Sequence, residues 1–224
     1  MVRLALFDID GTLIRTHGAG VKAFARAFAV EFGLGNGTET MSFAGRTDTS
    51  LVREFLRQHG REATPEDMRR FFDCYIFLLD HYLRESTGGV IPGVTQFITA
   101  LQTQHPPPVL GLLTGNIRLG AEIKLRHFGL WGPFVTGAFA DDHEDRNEIA
   151  RIALARGRAL LGDSLQPHEV LVVGDTPHDI RCGRAIGAKT LAVATGGATL
   201  SELQHHAPDW AVATLENFPL EALQ

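Results

Sequence analysis

Short apolar runs without polar alternation recur along this 224-residue chain and limit the folds open to it. One of them is Val170-Leu171-Val172-Val173, and a strand of this kind is buried on both faces, as in a parallel sheet covered by helices. Because helix-length segments separate the runs, we predict an α/β fold with a doubly wound parallel sheet. The predicted strands are 3–8, 109–114, 135–138, 170–174, 190–194 and 210–213.

One interval of the chain departs from this alternation of strands and helices. Between residues 16 and 88 no strand is predicted, and apolar residues recur with the helical period, as at Phe24 and Phe28. We therefore predict an α/β core of residues 1–15 and 89–224, with an all-helical cap subdomain, residues 16–88, inserted after the first strand. Glycines near both borders suit hinges, so the insertion could move as a lid.

Charge and cysteine content exclude several classes of protein. The chain has 21 Lys+Arg against 26 Asp+Glu, a net charge of −5. This balance argues against a nucleic-acid partner, because binding to a phosphate backbone needs clustered positive charge. The N-terminal apolar run, residues 1–7, is too short for a signal-peptide core or a membrane span, so we expect a cytoplasmic protein with no membrane partner. Cys74 and Cys182 lie too far apart in sequence for a thiolate metal motif.

Polar residues concentrate directly after the predicted strands. Ligands of a parallel α/β sheet bind at the carboxyl ends of its strands, so these positions are candidate functional residues. Asp8 and Asp10 follow the first strand, Thr114 follows the second, and Asp175 and Asp179 follow a later one. Neighbouring carboxylates repel one another unless a hard cation joins them, and Mg²⁺ prefers carboxylates, water and phosphate oxygens.

These segments, in this order, resemble the signature motifs of the haloacid dehalogenase superfamily, in the phosphatase branch with an inserted helical cap. The resemblance covers essentially the whole chain, because the insertion also falls between the first two motifs. It implies a Rossmann-like core, a small phosphorylated metabolite as substrate and Mg²⁺ as cofactor. The expected metal ligands are Asp8, Asp10, Asp175 and Asp179.

The resemblance also assigns roles to individual residues. It implies that Asp8 attacks phosphorus and forms an aspartyl-phosphate, a known type of covalent intermediate. Asp10 would protonate the leaving oxygen and later deprotonate the water that hydrolyses the intermediate. The expected donors to the phosphate are the Thr114 hydroxyl and the backbone N–H groups of Gly11, Thr12, Gly115 and Asn116.

A purely structural role is the alternative at each of these positions. Asp8 and Asp10 could form a strand-end turn, and Thr114 or Asn116 could cap the next helix. Asp179 could cap the helix that follows it, a role compatible with metal binding, and its contact with the metal could run through water.

The chain departs from the superfamily pattern after the third strand. The superfamily usually places a lysine there, whereas residues 141–149 contain none. We favour Arg146 as the catalytic substitute, because arginine keeps the charge and binds phosphate in a bidentate manner. Lys124 is the alternative, although the pattern of its helix predicts a solvent-facing side chain.

Within the insertion, the segment 44–48 resembles the loop with which related caps reach the active site. Its Arg46 could bind the substrate's phosphate or a carboxylate beyond it. An exposed arginine beside a helix capped by Thr47 or Asp48 is an equal alternative. The aromatic residues of the insertion, Tyr75 among them, are interpreted as its core.

The sequence therefore predicts a Mg²⁺-dependent phosphatase whose catalytic residues are Asp8, Asp10, Thr114 and Arg146. Two other functions stay open. One is phosphoryl transfer of the phosphoglucomutase type, and the other is phosphate binding with weak catalysis, which the missing lysine favours. The sequence predicts no particular oligomeric state.

Overall fold

The structure is a computed structural model, and it describes residues 1–223. Strands and helices alternate along the chain except in one purely helical stretch. The strands are β1 (Leu4–Phe7), β2 (Ile14–Arg15), β3 (Gly89–Val90), β4 (Val109–Leu113), β5 (Thr136–Ala138), β6 (Val170–Gly174), β7 (Lys189–Val193) and β8 (Trp210–Val212). The α-helices are α1 (Ala19–Phe32), α2 (Asp48–Gln58), α3 (Pro65–Arg84), α4 (Val94–Gln102), α5 (Arg118–His127), α6 (Arg146–Leu161), α7 (Pro177–Ala185) and α8 (Leu200–His205).

Six strands form one parallel sheet in the order β5-β4-β1-β6-β7-β8. Strand β1 is central, with Leu4 opposite Val109 on one side and opposite Val170 on the other. Every residue of β1 and β6 is buried, as expected for strands with helices on both faces. The prediction of a doubly wound parallel sheet is therefore confirmed.

Two apolar layers attach the helices to the sheet. On one face, Phe7 of β1 packs edge-on against Phe97 of α4, with ring centroids 6.1 Å apart. On the other face, Leu6 and Val172 belong to a buried cluster with Ile149 of α6. The strands therefore have fixed positions, and the loops at their carboxyl ends are held on a rigid support.

The short antiparallel pair β2–β3 was not predicted. It joins Ile14 to Val90 and Arg15 to Gly89, where the chain leaves the sheet for the helical stretch and returns from it. Two-residue strands carry no apolar pattern, so the sequence gives no signal for them. The Ser86 hydroxyl donates to the Thr16 carbonyl oxygen at 2.6 Å, so a second contact joins the segment after β2 to the segment before β3.

Helices α1, α2 and α3 pack around a cluster of aromatic side chains. The rings of Phe28 and Phe55 are stacked with centroids 3.9 Å apart, and the rings of Phe24 and Tyr75 meet edge-on at 4.7 Å. These helices, which we call the cap, contribute one side of a cavity at the carboxyl ends of the strands. The division of the chain at residues 15/16 and 88/89 stays a prediction.

Among the helices of residues 1–223, none has the length and apolar character needed to cross a membrane.

Candidate active site

Three parallel strands end side by side and bring their following residues together. Asp8 follows β1, and its N–H donates to the Val173 carbonyl oxygen of β6 at 3.0 Å. Thr114 follows β4, and its N–H donates to the Ala138 carbonyl oxygen of β5 at 3.3 Å. Asp175 directly follows β6. Residues far apart in sequence therefore meet because the strands of a parallel sheet end at one edge.

Three carboxylates form a compact buried cluster at this edge. One oxygen from each of Asp8, Asp175 and Asp179 lies within 4.8 Å of the others, and all three residues are buried. The Thr12 hydroxyl donates to Asp175 Oδ1 at 2.9 Å. Gly11 has φ +85°, and a Cβ there would lie 2.5 Å from Asp175 Oδ2, so the turn requires glycine.

The cluster is electrostatically unfavourable without a cation. Burial, reinforced by the negative charge of Asp179, raises the pKa of Asp8 from 3.8 to about 7 and that of Asp175 to about 8. The donors are hard carboxylate oxygens, which suit Mg²⁺ or a similar divalent ion. These residues therefore fit a divalent metal ion.

Asp179 takes part in capping α7, but as the third residue of the helix in a capping box rather than as its N-cap, which is Thr176. Its Oδ2 accepts hydrogen bonds from the N–H and the hydroxyl of Thr176, at 3.0 and 2.6 Å, at the start of α7. This leaves Oδ1 to pair with a cation, so capping and a place in the acidic cluster are compatible.

Arg146 lies between two members of the acidic cluster. It opens α6 directly after the N-cap residue Asp145, and only 8% of its surface is exposed. The guanidinium pairs with Asp179, and its Nη2 lies 3.5 Å from Asp8 Oδ1. Burial opposes its charge, yet Asp179 and Asp8 outweigh burial and raise the pKa of Arg146. The geometry supports the predicted role of Arg146, which stays a prediction.

The interpretation of Lys124 as solvent-facing is wrong. Only 4% of Lys124 is exposed, and its Nζ donates to Asp10 Oδ2 and to Asn116 Oδ1, both at 2.6 Å. A signal was present in the sequence, because Lys124 falls on the helical face of Gly120 and Ala121, which are buried. Both candidate cations therefore lie in the site, Arg146 beside Asp8 and Lys124 beside Asp10.

Asp10 lies outside the compact cluster of Asp8, Asp175 and Asp179. Its Oδ2 accepts a second hydrogen bond, from Asn116 Nδ2 at 2.9 Å, and the same amide nitrogen donates to Thr114 Oγ1 at 2.8 Å. The carboxylate is thus held toward the cavity by Lys124 and Asn116. A metal contact through Asp10 stays a prediction. Neither Thr114 nor Asn116 caps α5, whose N-cap position is Ile117, so that alternative is wrong.

The cap loop that carries Arg46 is seated on the segment after β4. The N–H of Asp48 donates to the Gly115 carbonyl oxygen at 2.7 Å, and Asp48 Oδ2 accepts from the N–H of Ile117 at 2.8 Å. Thr47 is the N-cap of α2, as one alternative predicted. Arg46 is half-buried rather than exposed, pairs with Glu54 and lines the cavity.

Cap and core together line a cavity of about 400 Å³. Of the predicted site residues, Thr12 and Asp179 lie behind the wall and the others line it, namely Asp8, Asp10, Gly11, Arg46, Thr114, Gly115, Asn116, Arg146 and Asp175. The cavity is also lined by residues that were not predicted to belong to the site, including His17, Gly20, Asp48 and Tyr75. Tyr75 sits in the apolar stripe of α3, and that pattern predicts core without revealing that the hydroxyl reaches the cavity.

Asp48 adds a further buried carboxylate to the wall. Burial raises its pKa to about 7, although Lys124 and the N–H of Ile117 act in the opposite direction. The only sequence feature that linked Asp48 to the site was its place in the same segment as Arg46. An aspartate at the start of a helix is common at exposed positions, so its residue type alone does not indicate a buried site residue.

A model of the haloacid dehalogenase-like hydrolase family matches residues 5–193 of the chain. The pyrophosphatase PpaX of Bacillus pumilus is 28% identical over 224 residues, with 96% of this chain and 94% of that protein covered. The pyrophosphatase PpaX of Oceanobacillus iheyensis is 26% identical, again over 96% of this chain and 94% of that protein.

Solved structures share the fold. A predicted phosphoglycolate phosphatase from Haemophilus somnus superposes with a TM-score of 0.77 and 19% identity, with 100% of this chain and 98% of that chain covered. CbbY from Rhodobacter sphaeroides, solved in complex with phosphate, superposes with a TM-score of 0.75 and 19% identity, with 97% and 96% covered.

Proposed function

We propose that this chain, which belongs to the haloacid dehalogenase-like hydrolase family, is a Mg²⁺-dependent phosphatase acting on a small phosphorylated metabolite. The observation that carries the proposal is the setting of Asp8. This carboxylate directly follows the central strand, lines the cavity, lies 3.5 Å from the Arg146 guanidinium and is clustered with Asp175 and Asp179. A buried nucleophile beside balancing charge is the arrangement that phosphoryl transfer requires.

In the first half of the reaction, an oxygen of Asp8 attacks phosphorus. The bond from phosphorus to the leaving oxygen breaks as the bond to Asp8 forms, and Asp10 donates a proton to the leaving oxygen. The Thr114 hydroxyl and the N–H of Gly115 would donate to the phosphoryl oxygens. The N–H groups of Gly11, Thr12 and Asn116, also predicted as donors, already donate within the chain, to the Ile14 and Ile9 carbonyl oxygens and to Thr114 Oγ1. Arg146 balances the negative charge that collects on phosphate and Asp8.

In the second half, water attacks the phosphorus of the aspartyl-phosphate. Asp10, now ionised, accepts a proton from that water as the bond between phosphorus and Asp8 breaks. Orthophosphate leaves, and Asp8 and Asp10 return to their starting states. Lys124 and Asn116 hold Asp10 toward the cavity, where both proton transfers take place.

Asp8, Asp175 and Asp179 would hold Mg²⁺. When bound, the ion supplies positive charge to the phosphoryl oxygens and relieves the repulsion among the three carboxylates. Thr12 and Arg146 keep Asp175 and Asp179 in place through the contacts described above.

The proposal is tested by phosphate release from p-nitrophenyl phosphate, pyrophosphate and a panel of small phosphate esters, with Mg²⁺ and with EDTA. Wild type is expected to release phosphate only with the metal. Asp8→Asn removes the attacking oxygen's charge, so turnover should fall by about a thousandfold or more. Asp163→Asn, an exposed aspartate on the surface, is the matched control and should retain wild-type activity.

Circular dichroism of Asp8→Asn shows whether the variant is folded. Full activity in a folded Asp8→Asn protein would contradict the aspartyl-phosphate. Consumption of sugar phosphate without phosphate release would instead indicate a phosphoryl transfer between sugars.

A further inference from the structure

The start of helix α1 faces the cavity with unpaired donors. Gly18 is its N-cap, no side chain caps it, and its first turn contains no acidic residue. Gly18, Gly20 and Val21 all line the cavity. Within residues 1–223 the N–H groups of Gly20 and Val21 have no acceptor, as expected for the first turn of an uncapped helix. Such an end favours negative charge.

The Tyr75 hydroxyl is a second unpaired donor at the same place. Tyr75 is 1% exposed and lines the cavity, yet its hydroxyl makes no hydrogen bond with any group of the described chain. The oxygen lies 4.0 Å from the point that a Cβ on Gly20 would occupy. Tyr75 keeps a trace of exposed surface and lines the cavity, so its hydroxyl is available to donate to a ligand atom there.

Lys124 brings a positive charge to this point. Its Nζ lies 3.6 Å from the same Cβ position on Gly20. An ammonium has three hydrogens, and Asp10 and Asn116 accept two of them. The third is free to meet a ligand. The nearby carboxylate of Asp48 is held by the N–H of Ile117.

We propose that Gly20, Val21, Tyr75 and Lys124 bind a second oxyanion of the substrate, beyond the phosphate that is transferred. The inference rests on the proposed phosphatase function and narrows its substrate class. Because Lys124 also contacts Asp10, the oxyanion lies close to the leaving oxygen, so the substrate is short. Its second group is a carboxylate or another phosphate, since both present oxygens to N–H and O–H donors.

The lack of a side chain at Gly20 is what leaves room for this group. A Cβ there would make ordinary contacts at 3.6 to 4.0 Å with Lys124 and Tyr75, so the fold tolerates alanine. The added methyl group would nevertheless occupy the space that the second oxyanion needs. Alanine in place of glycine also favours a helix. Gly20→Ala therefore separates ligand binding from folding.

The test compares kcat/KM for ethyl phosphate, phosphoglycolate and pyrophosphate. Wild type should prefer at least one of the two compounds that carry a second oxyanion over ethyl phosphate by about tenfold or more. The preferred compound shows whether the second group is a carboxylate or a phosphate. Gly20→Ala and Tyr75→Phe should each lower that preference by about tenfold, with no loss of thermal stability. Tyr82→Phe, on the same helix but outside the cavity wall, should leave the preference unchanged.

The outcomes separate the two proposals. The oxyanion subsite would be overturned if wild type had the same kcat/KM for all three compounds. It would also be overturned if Gly20→Ala and Tyr75→Phe both kept the wild-type preference for a compound with a second oxyanion. Neither result would contradict the phosphatase activity. If the enzyme hydrolysed none of these three compounds and no member of the wider panel, both the phosphatase activity and the subsite that rests on it would be overturned.

Discussion

Arg146 contributes positive charge to the buried acidic cluster of Asp8, Asp175 and Asp179. It pairs directly with two members of that cluster, Asp8 and Asp179. Lys124 does not replace it, because Lys124 is engaged with Asp10 and Asn116. Removing one partner of a buried ion pair leaves an uncompensated charge, which costs far more than the loss of an exposed pair.

We expect Arg146→Ala to lower kcat by about a hundredfold and the free energy of unfolding by about 3 kcal/mol. Arg146→Lys restores the charge without the fork of donors, so it should recover part of both losses. Steady-state kinetics and urea unfolding measure the two effects. Arg151→Ala, which removes an exposed arginine of the same helix, should change stability by less than about 0.5 kcal/mol. Wild-type kinetics in Arg146→Ala would exclude the proposed role.

At the scale of elements, the contact between α2 and the start of α5 joins cap to core. Asp48 is the first residue of α2, and its carboxylate accepts a hydrogen bond from the N–H of Ile117, the N-cap residue of α5. The Thr47 hydroxyl adds a bond to the Glu144 carbonyl oxygen at 3.0 Å. The start of α2 is therefore hydrogen-bonded to the segment that precedes α5 and to the loop that precedes α6, and these contacts hold the adjoining Arg46 loop.

We expect Asp48→Ala to lower the free energy of unfolding by about 1 to 2 kcal/mol, because the N–H of Ile117 loses its acceptor. Hydrogen exchange at Ile117 and in residues 43–48 should accelerate, since the loop loses a contact with the core. Asp48→Asn keeps an acceptor and should show a smaller effect. Asp73→Ala removes an exposed cap aspartate as the control, and an Asp48→Ala protein that exchanges like this control would contradict the docking role.

At the scale of the whole molecule, the fold concentrates negative charge where the strands end. Burial raises the pKa values of Asp8 and Asp175 to about 7 and about 8, and neighbouring carboxylates reinforce this effect. In the unfolded chain these groups would lose their protons near pH 4. Without metal, the folded protein therefore binds more protons than the unfolded chain between about pH 4 and 8.

It follows that the stability of the metal-free protein should fall as the pH rises through this window. Mg²⁺ competes with these protons, so it should raise Tm more at pH 8 than at pH 6. Thermal unfolding with EDTA and with Mg²⁺ measures both effects. Asp175→Asn lacks one titrating group, so its Tm should depend less on pH and on Mg²⁺. Identical pH profiles for the two proteins would contradict the assignment.

Much of this architecture is predictable because buried strands and helices have characteristic patterns of apolar residues in the local sequence. Runs such as Val170–Val173 predicted the buried strands, and polar residues at strand ends predicted where Asp8, Thr114 and Asp175 would meet. The β2–β3 pair was missed because two residues form no pattern. The prediction that Lys124 faces solvent was wrong because it gave more importance to the charge of the side chain than to its position on the buried face of α5.

Patterns among residues close together in the chain predict the parallel sheet, the helical insertion and the order of the aspartate motifs. The pairing of Arg146 with Asp8 and of Lys124 with Asp10 depends on the folded chain, and so does the proximity of Gly20, Tyr75 and Lys124. Charge balance and cavity shape depend on distances of a few ångströms between distant segments. Local apolar periodicity carries no information about those distances.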